Sequence, residues 1–286
     1  NVYNALEERI FYNAALIARN GAPSGLRGPK ERYGSWKKVW DSLPRSERGG
    51  VAPEEAWQSA QRNGITLTLY EEEGYPPLLR ETGGAPLGIY TRGTLPASAY
   101  SLAIVGTRRA TDEGKEWAKK FAGDLSRAGF TVVSGLALGI DAAAHEGCLL
   151  SDGATIAVLG NGLNRLYPKQ NELLAERILD RHGALVSEYP PDTPSFPSHF
   201  LERNRIVSGL SQGILVIEAP RESGSLVTAR FGAEQGRQVF VLPGPARHPN
   251  FIGSHALIRE GAELVTSPSE ILEAFNLPHD APLRTI

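Results

Sequence analysis

The sequence has 286 residues, 41% of them hydrophobic, and a formal net charge of −2 at pH 7. Because acidic and basic residues nearly balance, any site for an anionic partner must be local. No apolar run reaches the length of a membrane span, so no membrane partner is expected. The one cysteine, Cys148, excludes an internal disulfide framework and a multi-cysteine zinc site. Together with the lack of a signal-peptide pattern, it is consistent with a cytoplasmic location.

Residues 1–63 are predicted to form a small helical domain. Apolar residues recur at helical spacing from Leu6 to Ile17, and two more short helices are expected around Trp36 and Trp57. The connector and the helix that follows it carry five basic residues: Arg27, Lys30, Arg32, Lys37 and Lys38. These cations either contact DNA or form a solvated face, and the solvated face is the favoured interpretation.

Residues 64–275 are predicted to form an α/β domain, followed by a tail at 276–286. Strands are expected at 65–70, 87–90, 102–105, 131–133, 155–159, 184–187, 214–217 and 239–242 and near Leu264. Helices are expected at 113–128, 171–180, 202–210, 226–235, 256–260 and 269–275. This regular alternation indicates a doubly wound sheet, in which ligands lie beyond the carboxyl ends of the strands.

Polar residues follow several of the predicted strands. They are Arg108 and Arg109, then Asn161, Asn164, Arg165, Tyr167 and Lys169, then His199, Arg203, Asn204 and Arg205, and finally Arg221, Arg247 and His248. The turn at Gly106 lacks the G-x-G-x-x-G spacing of dinucleotide sites and is by itself a weak signal. The concentration of basic, amide and aromatic groups at one edge nevertheless predicts an anionic ligand, for which phosphate is the obvious candidate.

Catalytic signals are sparse. The sequence contains no G-x-S-x-G elbow, no H-E-x-x-H and no Walker lysine motif. Asp141 and His145 are four residues apart on one predicted helix, as an acid–base pair or half of a metal site would be; a helix cap and a locally bonded histidine are favoured instead. Glu188 and Glu218 both end strands and are either catalytic or anchors for arginines, which the sequence leaves open.

Several long motifs occur in one family's order: IVGTR at 104–108, SGLALGIDAAAHEG at 134–147, TIAVLGNGLNRLYPKQN at 155–171, SEYPP at 187–191, ERNRI at 202–206, VIEAPRESGSLVTAR at 216–230, LPG at 242–244 and LIREGA at 257–262. From about Ile65 to Phe275 the sequence resembles the DprA/Smf family, DNA processing protein A of bacterial natural transformation. The resemblance implies an extended Rossmann-like domain, with residues 1–63 similar to the small SAM-like domain of some members. It further implies a homodimer that binds single-stranded DNA, counters single-strand-binding protein and loads the RecA recombinase, without enzymatic activity, metal or cofactor.

The resemblance also implies site residues. The family's pocket uses the arginine of a G-[ST]-R turn, here Arg108, and the lysine of a Y-P-K motif, here Lys169. The full set of expected DNA contacts is Gly106, Thr107, Arg108, Arg109, Gly160, Asn161, Gly162, Asn164, Tyr167, Lys169, Asn171, Arg203, Asn204 and Arg205. The apolar face around Leu257 and Ile258 is the expected dimer interface.

The sequence departs from the family pattern in three places. His255 stands where members usually carry asparagine, so any role of that position is in doubt. Leu173 and Leu174 replace a phenylalanine found in some members, so base stacking is expected from another residue, for which Tyr167 is the candidate. Many members also end in a winged-helix domain, and the tail at 276–286 stops before one.

Two rival functions remain at this point. Related phosphoribohydrolases of nucleoside monophosphates carry a P-G-G-x-G-T-x-x-E motif after a late strand, whereas this sequence has SGSLVTA at 223–229. A regulatory nucleotide sensor would bind a mononucleotide in the turn after the first strand of the predicted doubly wound sheet. Ser223, Ser225 and Thr228 either cap a helix or bind phosphate, with capping slightly favoured.

Overall fold

A computed structural model describes residues 2–23 and 25–278 of the chain. Its strands are β1 (Ile65–Leu69), β2 (Gly88–Gly93), β3 (Tyr100–Val105), β4 (Phe130–Ser134), β5 (Thr155–Leu159), β6 (Ala184–Ser187), β7 (Gly213–Val216), β8 (Gln238–Val241) and β9 (Glu263–Leu264). Its helices are α1 (Val2–Ala18), α2 (Arg27–Tyr33), α3 (Trp36–Ser42), α4 (Arg45–Arg48), α5 (Pro53–Arg62), α6 (Pro77–Arg80), α7 (Asp112–Arg127), α8 (Ile140–Leu150), α9 (Glu172–Asp180), α10 (Pro197–Gly209), α11 (Gly224–Glu234), α12 (Ile252–Arg259) and α13 (Pro268–Ala274). Within these described residues, no helix is long and apolar enough to cross a membrane.

All nine strands belong to one sheet with the order β1-β2-β6-β5-β4-β3-β7-β8-β9. The seven strands from β6 to β9 are parallel, whereas β1 and β2 pair antiparallel at one edge. The chain builds outward from β3 to β6 and then returns to the other side of β3 with β7. The order therefore reverses between β3 and β7, which makes this gap the topological switch point of the sheet.

The apolar run of β3 shows why the sheet is covered on both faces. Leu102 and Ile104 belong to the cluster under α7 and α13, while Ala103 and Val105 belong to the cluster under α10 and α11. Alternate side chains of a strand point to opposite faces, so a continuous apolar run supplies both cores at once. The predicted doubly wound sheet is confirmed.

Helices α1 and α5 pack on β1 at the antiparallel edge of the sheet, while α3 and α4 pack on α1 and α2 packs on α3. One hydrophobic cluster contains Tyr12 and Trp36 from the helices together with Leu67 and Tyr90 from β1 and β2. The buried hydroxyl of Tyr90 donates to Oδ1 of Asn13 at 2.8 Å. The division at residue 63 stays a prediction, and the packing across it leads us to expect that both parts unfold together.

Two local expectations were wrong, and one short helix was not predicted. The connector after α1 contains the helix α2, which closes on the left-handed Gly34. The short helix α6 was not predicted; it follows the extended Pro76 and begins at Pro77, whose φ suits the first position of a helix. Helix α10 begins at Pro197, five residues before the predicted start at Glu202. The predicted tail lies outside the described residues from 279 onward.

Replacing Tyr90 by Phe should lower the free energy of unfolding by about 1–3 kcal/mol, because Oδ1 of Asn13 loses its buried partner. Tyr100→Phe is the matched control, since the Tyr100 hydroxyl has no hydrogen bond within residues 2–23 and 25–278. Urea unfolding should be followed by tryptophan fluorescence and by far-ultraviolet circular dichroism.

Three of the four tryptophans lie in the helices before residue 63, so fluorescence reports mainly on that part. We expect coincident transitions that shift together in Tyr90→Phe. Two separate transitions, of which only the fluorescence transition moves, would contradict a single cooperative unit.

Candidate nucleic-acid interface

The turns after β3 and β4 are packed tightly at the switch point. The amide of Ile140 donates to the carbonyl oxygen of Thr107 at 3.3 Å. Gly139 has φ +80°, and a Cβ there would lie 2.4 Å from that same carbonyl oxygen. The close approach requires glycine and fixes the turn 106–109, so the exposed side chains of Arg108 and Arg109 project from a rigid base.

Helix α10 brings an aromatic ring to this turn. The guanidinium carbon of Arg108 lies 5.5 Å from the ring centroid of Phe200, which is a cation–π distance. The ring of Tyr167 lies 5.4 Å from that of Phe200, and 45% of Tyr167 is exposed. Leu138 is exposed beside them and lines the same small cavity. One cation, two aromatic rings and a leucine therefore form a continuous surface, here called the Arg108 face.

Lys169 directly follows Tyr167 and Pro168, which line the small cavity of the Arg108 face. It opens a 3-10 turn directly after Pro168, its side chain is exposed, and it has no ion-pair partner in the part of the chain that the structure describes. Asn171 ends the same turn, is buried, and donates from Nδ2 to the carbonyl oxygen of Leu136 at 2.8 Å. Asn171 therefore ties the lysine-bearing turn to the loop after β4.

The predicted residues after β5 support the surface from below. Asn161 is fully buried and donates from Nδ2 to the carbonyl oxygens of Gly162 and Arg165. A Cβ on Gly162 would lie 2.2 Å from the carbonyl oxygen of Pro190, and one on Gly160 would meet Phe200 at 3.0 Å. These residues shape the turn and leave room for Phe200. Asn164 points elsewhere and donates to Oδ1 of Asp192 at 3.0 Å.

Arg203 and Asn204 form the floor of a larger cleft between the turn 106–109 and the start of α11. The cleft has a volume of about 390 Å³, and we call it the switch-point cleft. Arg203 is 4% exposed and donates from Nη1 to the carbonyl oxygens of Gly135 and Val158. Burial lowers the pKa of Arg203 to about 10, so the guanidinium stays charged at neutral pH.

Arg205 lies apart from the other predicted contacts. Its Nη2 donates to the buried carboxylate of Glu188, and both residues line a different groove, next to Arg27. Glu218 instead accepts hydrogen bonds from the amide of Thr111 at 3.0 Å and from Nδ2 of Asn250 at 2.8 Å. Glu188 is thus an arginine anchor, whereas Glu218 secures the start of α7.

Asp141 and His145 lie below the cleft on α8. Oδ2 of Asp141 accepts the amides of Gly135 at 3.1 Å and Ala137 at 3.4 Å, and burial raises its pKa against the opposing effect of Arg203. Nδ1 of His145 bonds Oγ1 of Thr155 at 2.8 Å. His145 is locally bonded, as the favoured interpretation has it, whereas Asp141 holds the loop after β4 and does not cap α8, whose N-cap residue is Gly139.

His255 also has a local partner. Its Nε2 lies 3.1 Å from the carbonyl oxygen of Gly244, and its ring stacks beside that of Phe251. The histidine therefore orders the loop after β8.

Sequence reasoning missed Phe200 and Leu138. Phe200 was not predicted as a site residue, because PSFPSHF at 194–200 shows no helical periodicity and the helix was expected to start at Glu202. A usable signal was present, since Pro197 is favourable at a helix N-terminus and then puts Phe200 and Arg203 on one face.

Comparisons with known proteins agree on one family. The family model for DNA recombination-mediator protein A matches residues 66–276. Protein Smf of Escherichia coli is 50% identical over 204 residues, which are 71% of this chain and 54% of that protein. DNA processing protein DprA of Bacillus subtilis is 37% identical over 215 residues, 74% of this chain and 72% of that protein. This chain therefore spans about half the length of the Escherichia coli relative.

Two solved structures match the fold. The X-ray structure of DNA processing protein A from Streptococcus pneumoniae has a TM-score of 0.73 and 31% identity, covering 93% of this chain and 95% of that one. The Helicobacter pylori protein has a TM-score of 0.66 and 27% identity, covering 74% and 95%, and its structure is described as giving insight into its single-stranded DNA binding mode.

Fold and site together define a Rossmann-like α/β protein with a basic, aromatic surface beyond the carboxyl ends of its strands. The extent and identity of the matches settle the family within that class: the chain belongs to the DNA recombination-mediator protein A family. The resemblance inferred from the sequence motifs is confirmed.

Acid should destabilise the protein partly through His145. Burial lowers the pKa of this fully buried imidazole to about 3, against 6.5 for an ordinary histidine. Below about pH 6.5 the imidazole of His145 is protonated in the unfolded chain but stays neutral in the folded chain. The free energy of unfolding therefore falls by up to about 1.4 kcal/mol for each pH unit of acidification. Unfolding by guanidinium chloride at about pH 7, 6 and 5 should therefore show a shallower decline for His145→Gln than for the native sequence.

His182→Gln is the control for the histidine titration, because His182 is exposed. It should retain the native decline. Parallel stability curves for His145→Gln and the native protein would show that His145 does not stay neutral on folding.

Proposed function

We propose that the chain binds single-stranded DNA on the Arg108 face. The observation that carries the proposal is the placement of an exposed arginine against two aromatic rings, at 5.5 Å from Phe200, with Tyr167 a further 5.4 Å beyond it. Proteins that bind single strands combine cations along the backbone with rings on which bases stack. Membership of the family and the described binding mode of the Helicobacter pylori protein support the same conclusion.

The division of labour follows from the chemistry of each group. Arg108 and Lys169 would contact phosphates, which gives affinity without reading sequence. Unpaired bases would stack on Tyr167 and Phe200, at roughly 1–3 kcal/mol per base. In duplex DNA the bases stack on one another and cannot stack on Tyr167 or Phe200, so duplex DNA would bind through its phosphates alone. Gly106, Thr107, Arg109 and the residues after β5 would then shape or border this surface.

The wider role follows from the family. We infer a recombination mediator rather than an enzyme, which shields incoming strands, competes with single-strand-binding protein and hands the DNA to RecA in the cytoplasm. The helical residues 1–63 and the Rossmann-like residues 64–275 are proposed as its two domains. No cofactor enters this proposal.

A homodimer would place two Arg108 faces on one strand and raise avidity through effective concentration. Ile258 is half-buried on α12, while Leu257 beside it is 7% exposed and packs in the core. Of the two interface candidates, Ile258 therefore has the side chain that a partner subunit could cover.

Arg108→Ala and Lys169→Ala should each weaken binding of a labelled oligo-dT, measured by fluorescence anisotropy over a series of salt concentrations. Each lost phosphate contact should reduce the slope of log K against log salt by about 0.7. Matched duplex should bind weakly to all forms of the protein.

The matched control is Lys120→Ala, because Lys120 is exposed on α7 and pairs with Asp124 at 2.9 Å, away from the Arg108 face. Its curves should overlay the native ones. The proposed binding surface would be refuted if both Arg108→Ala and Lys169→Ala bound oligo-dT with native affinity. It would also be refuted if the native protein bound single and double strands equally well.

Ile258→Asp should dissociate the homodimer, because a carboxylate would be buried there without a partner. Sedimentation velocity at micromolar concentration should show dimers for the native chain and monomers for the variant. Leu264→Asp serves as the control for an exposed apolar residue on the neighbouring edge strand. An unchanged dimer in Ile258→Asp would exclude this face.

A further inference from the structure

The switch-point cleft contains polar groups that the proposed strand binding does not use. It adjoins the Arg108 face, with which it shares Arg108 and Phe200, but neither Tyr167 nor Lys169 lines it. Its second wall is the first turn of α11, a helix of eleven residues whose positive end faces the cavity through Gly224 and Ser225. A helix N-terminus alone is common, but here buried polar side chains lie beneath it.

Thr228 is the first of these groups. It lines the cleft and is only 2% exposed, yet its hydroxyl has no hydrogen-bond partner among residues 2–23 and 25–278. Ser225 shares its helix face, is 6% exposed, and places its Oγ 2.7 Å from that of Ser223. Ser223 caps the helix, as the sequence favoured, while Thr228 is left without a structural task.

Arg203 is the second. Its guanidinium forms the floor with 4% exposure, and no carboxylate lies within 4 Å of it in the described part of the chain. Nη1 donates to two carbonyl oxygens, and Nε donates to Oδ1 of Asn204 at 3.2 Å. Nη2 has no acceptor in the described part of the chain. Asp141 interacts with this charge from beyond 4 Å, whereas the direct contacts of the guanidinium are with neutral groups. Burying a charge among neutral groups is costly, and an anion entering the cleft would offset part of that cost.

The charges that line the cleft favour an anion on balance. Three arginines, Arg108, Arg109 and Arg203, face two carboxylates, Asp141 and Glu222. Asp141 directs Oδ2 to the amides of Gly135 and Ala137, so its charge is engaged by the loop after β4. Glu222 is exposed at the rim. The floor of the cleft therefore presents hydrogen-bond donors, those of Arg203, Ser225 and Thr228, to an anion.

Depth and size restrict the kind of anion. A volume of about 390 Å³ is in the range of sites for small molecules. The floor groups are more than nine-tenths buried, whereas a phosphate inside a strand carries a sugar on both sides. An internal phosphate could reach the floor only if the strand entered and left through the same opening. A terminal phosphate has no such restriction.

We propose that the switch-point cleft binds a phosphomonoester, carried either by the end of a DNA strand or by a free mononucleotide. Arg203 and the hydroxyls of Thr228 and Ser225 would hold its oxygens at the start of α11, and Arg108 and Arg109 would flank its entrance. The strand-end form rests on the proposed single-strand binding, in which the Arg108 face would hold the adjoining nucleotides. The mononucleotide form does not.

Two comparisons on the full chain test the proposal. Calorimetric titration should show thymidine 5′-monophosphate binding at least about tenfold more tightly than thymidine, as expected for hydrogen bonds to a charged group. Anisotropy with short oligo-dT should show a similar preference for a phosphorylated end over a hydroxyl end, with 5′- and 3′-phosphates tested separately. Tighter binding of the phosphorylated ligand in either comparison supports phosphate binding in the cleft, and the comparison that shows it identifies the source of the phosphate. Equal affinities in both comparisons would overturn it.

Thr228→Val should lower the phosphate preference by about tenfold while leaving binding of a long oligonucleotide with hydroxyl ends unchanged. Ser225→Ala is the second variant and should act in the same direction, which keeps the test valid if Thr228→Val fails to fold. Lys169→Ala should do the reverse, weakening the long oligonucleotide and keeping the phosphate preference. A full preference in folded Thr228→Val and Ser225→Ala would refute the site.

The two proposals can fail separately. If long oligonucleotides bind but phosphate makes no difference, only the cleft proposal is lost. If the mononucleotide binds but long single strands do not, the proposed DNA binding is lost and the cleft proposal stands.

Discussion

The buried guanidinium of Arg203 is the contact on which the rest of the site depends. Its Nη1 bridges the carbonyl oxygens of Gly135, just after β4, and Val158, within β5. Helix α10 is thereby fixed across the carboxyl ends of two neighbouring strands. Because Phe200 precedes Arg203 by three residues on the same face, the same contact sets the ring over Arg108. A buried charge thus positions an exposed aromatic surface, and its cost is offset by the carbonyls it joins.

The opposite wall of the switch point is held by a second buried charge. Glu218, just after β7, accepts the amide of Thr111 at the start of α7 and Nδ2 of Asn250 from the loop after β8. Asn250 also donates to the carbonyl oxygen of Arg109 at 3.0 Å. The carboxylate therefore connects both sides of the sheet reversal and restrains the turn that carries Arg108. A strand-end glutamate, which in isolation suggests catalysis, here supports the binding turn.

Local pattern was sufficient for most of the fold and for part of the site. The apolar runs of β3 and β5 and the cap of α7 by Thr111 depend on neighbours in sequence, so they could be predicted. The early start of α10 could not, because a segment with two prolines and two phenylalanines gives no clear period. The burial of Arg203 and Asn171 could not either, since it arises from contacts across 68 and 35 residues of sequence. Sequence marks basic residues at strand ends, whereas only packing separates the exposed Arg108 from the floor residue Arg203.

The three-dimensional structure also decides where positive charge is available, because many basic side chains are paired with carboxylates. The helices before residue 63 are rich in cations, but Lys30 lies 2.7 Å from Glu8 and Lys37 lies 3.1 Å from Glu7. Across the described residues 25–278, Arg108 and Lys169 have no such carboxylate partner. Exposed ion pairs contribute little to stability, yet each one cancels a charge that a phosphate could otherwise use. A chain with a net charge of −2 can therefore present a basic surface at one edge of its sheet, where an extended anion would meet Arg108 first and the floor of the switch-point cleft last.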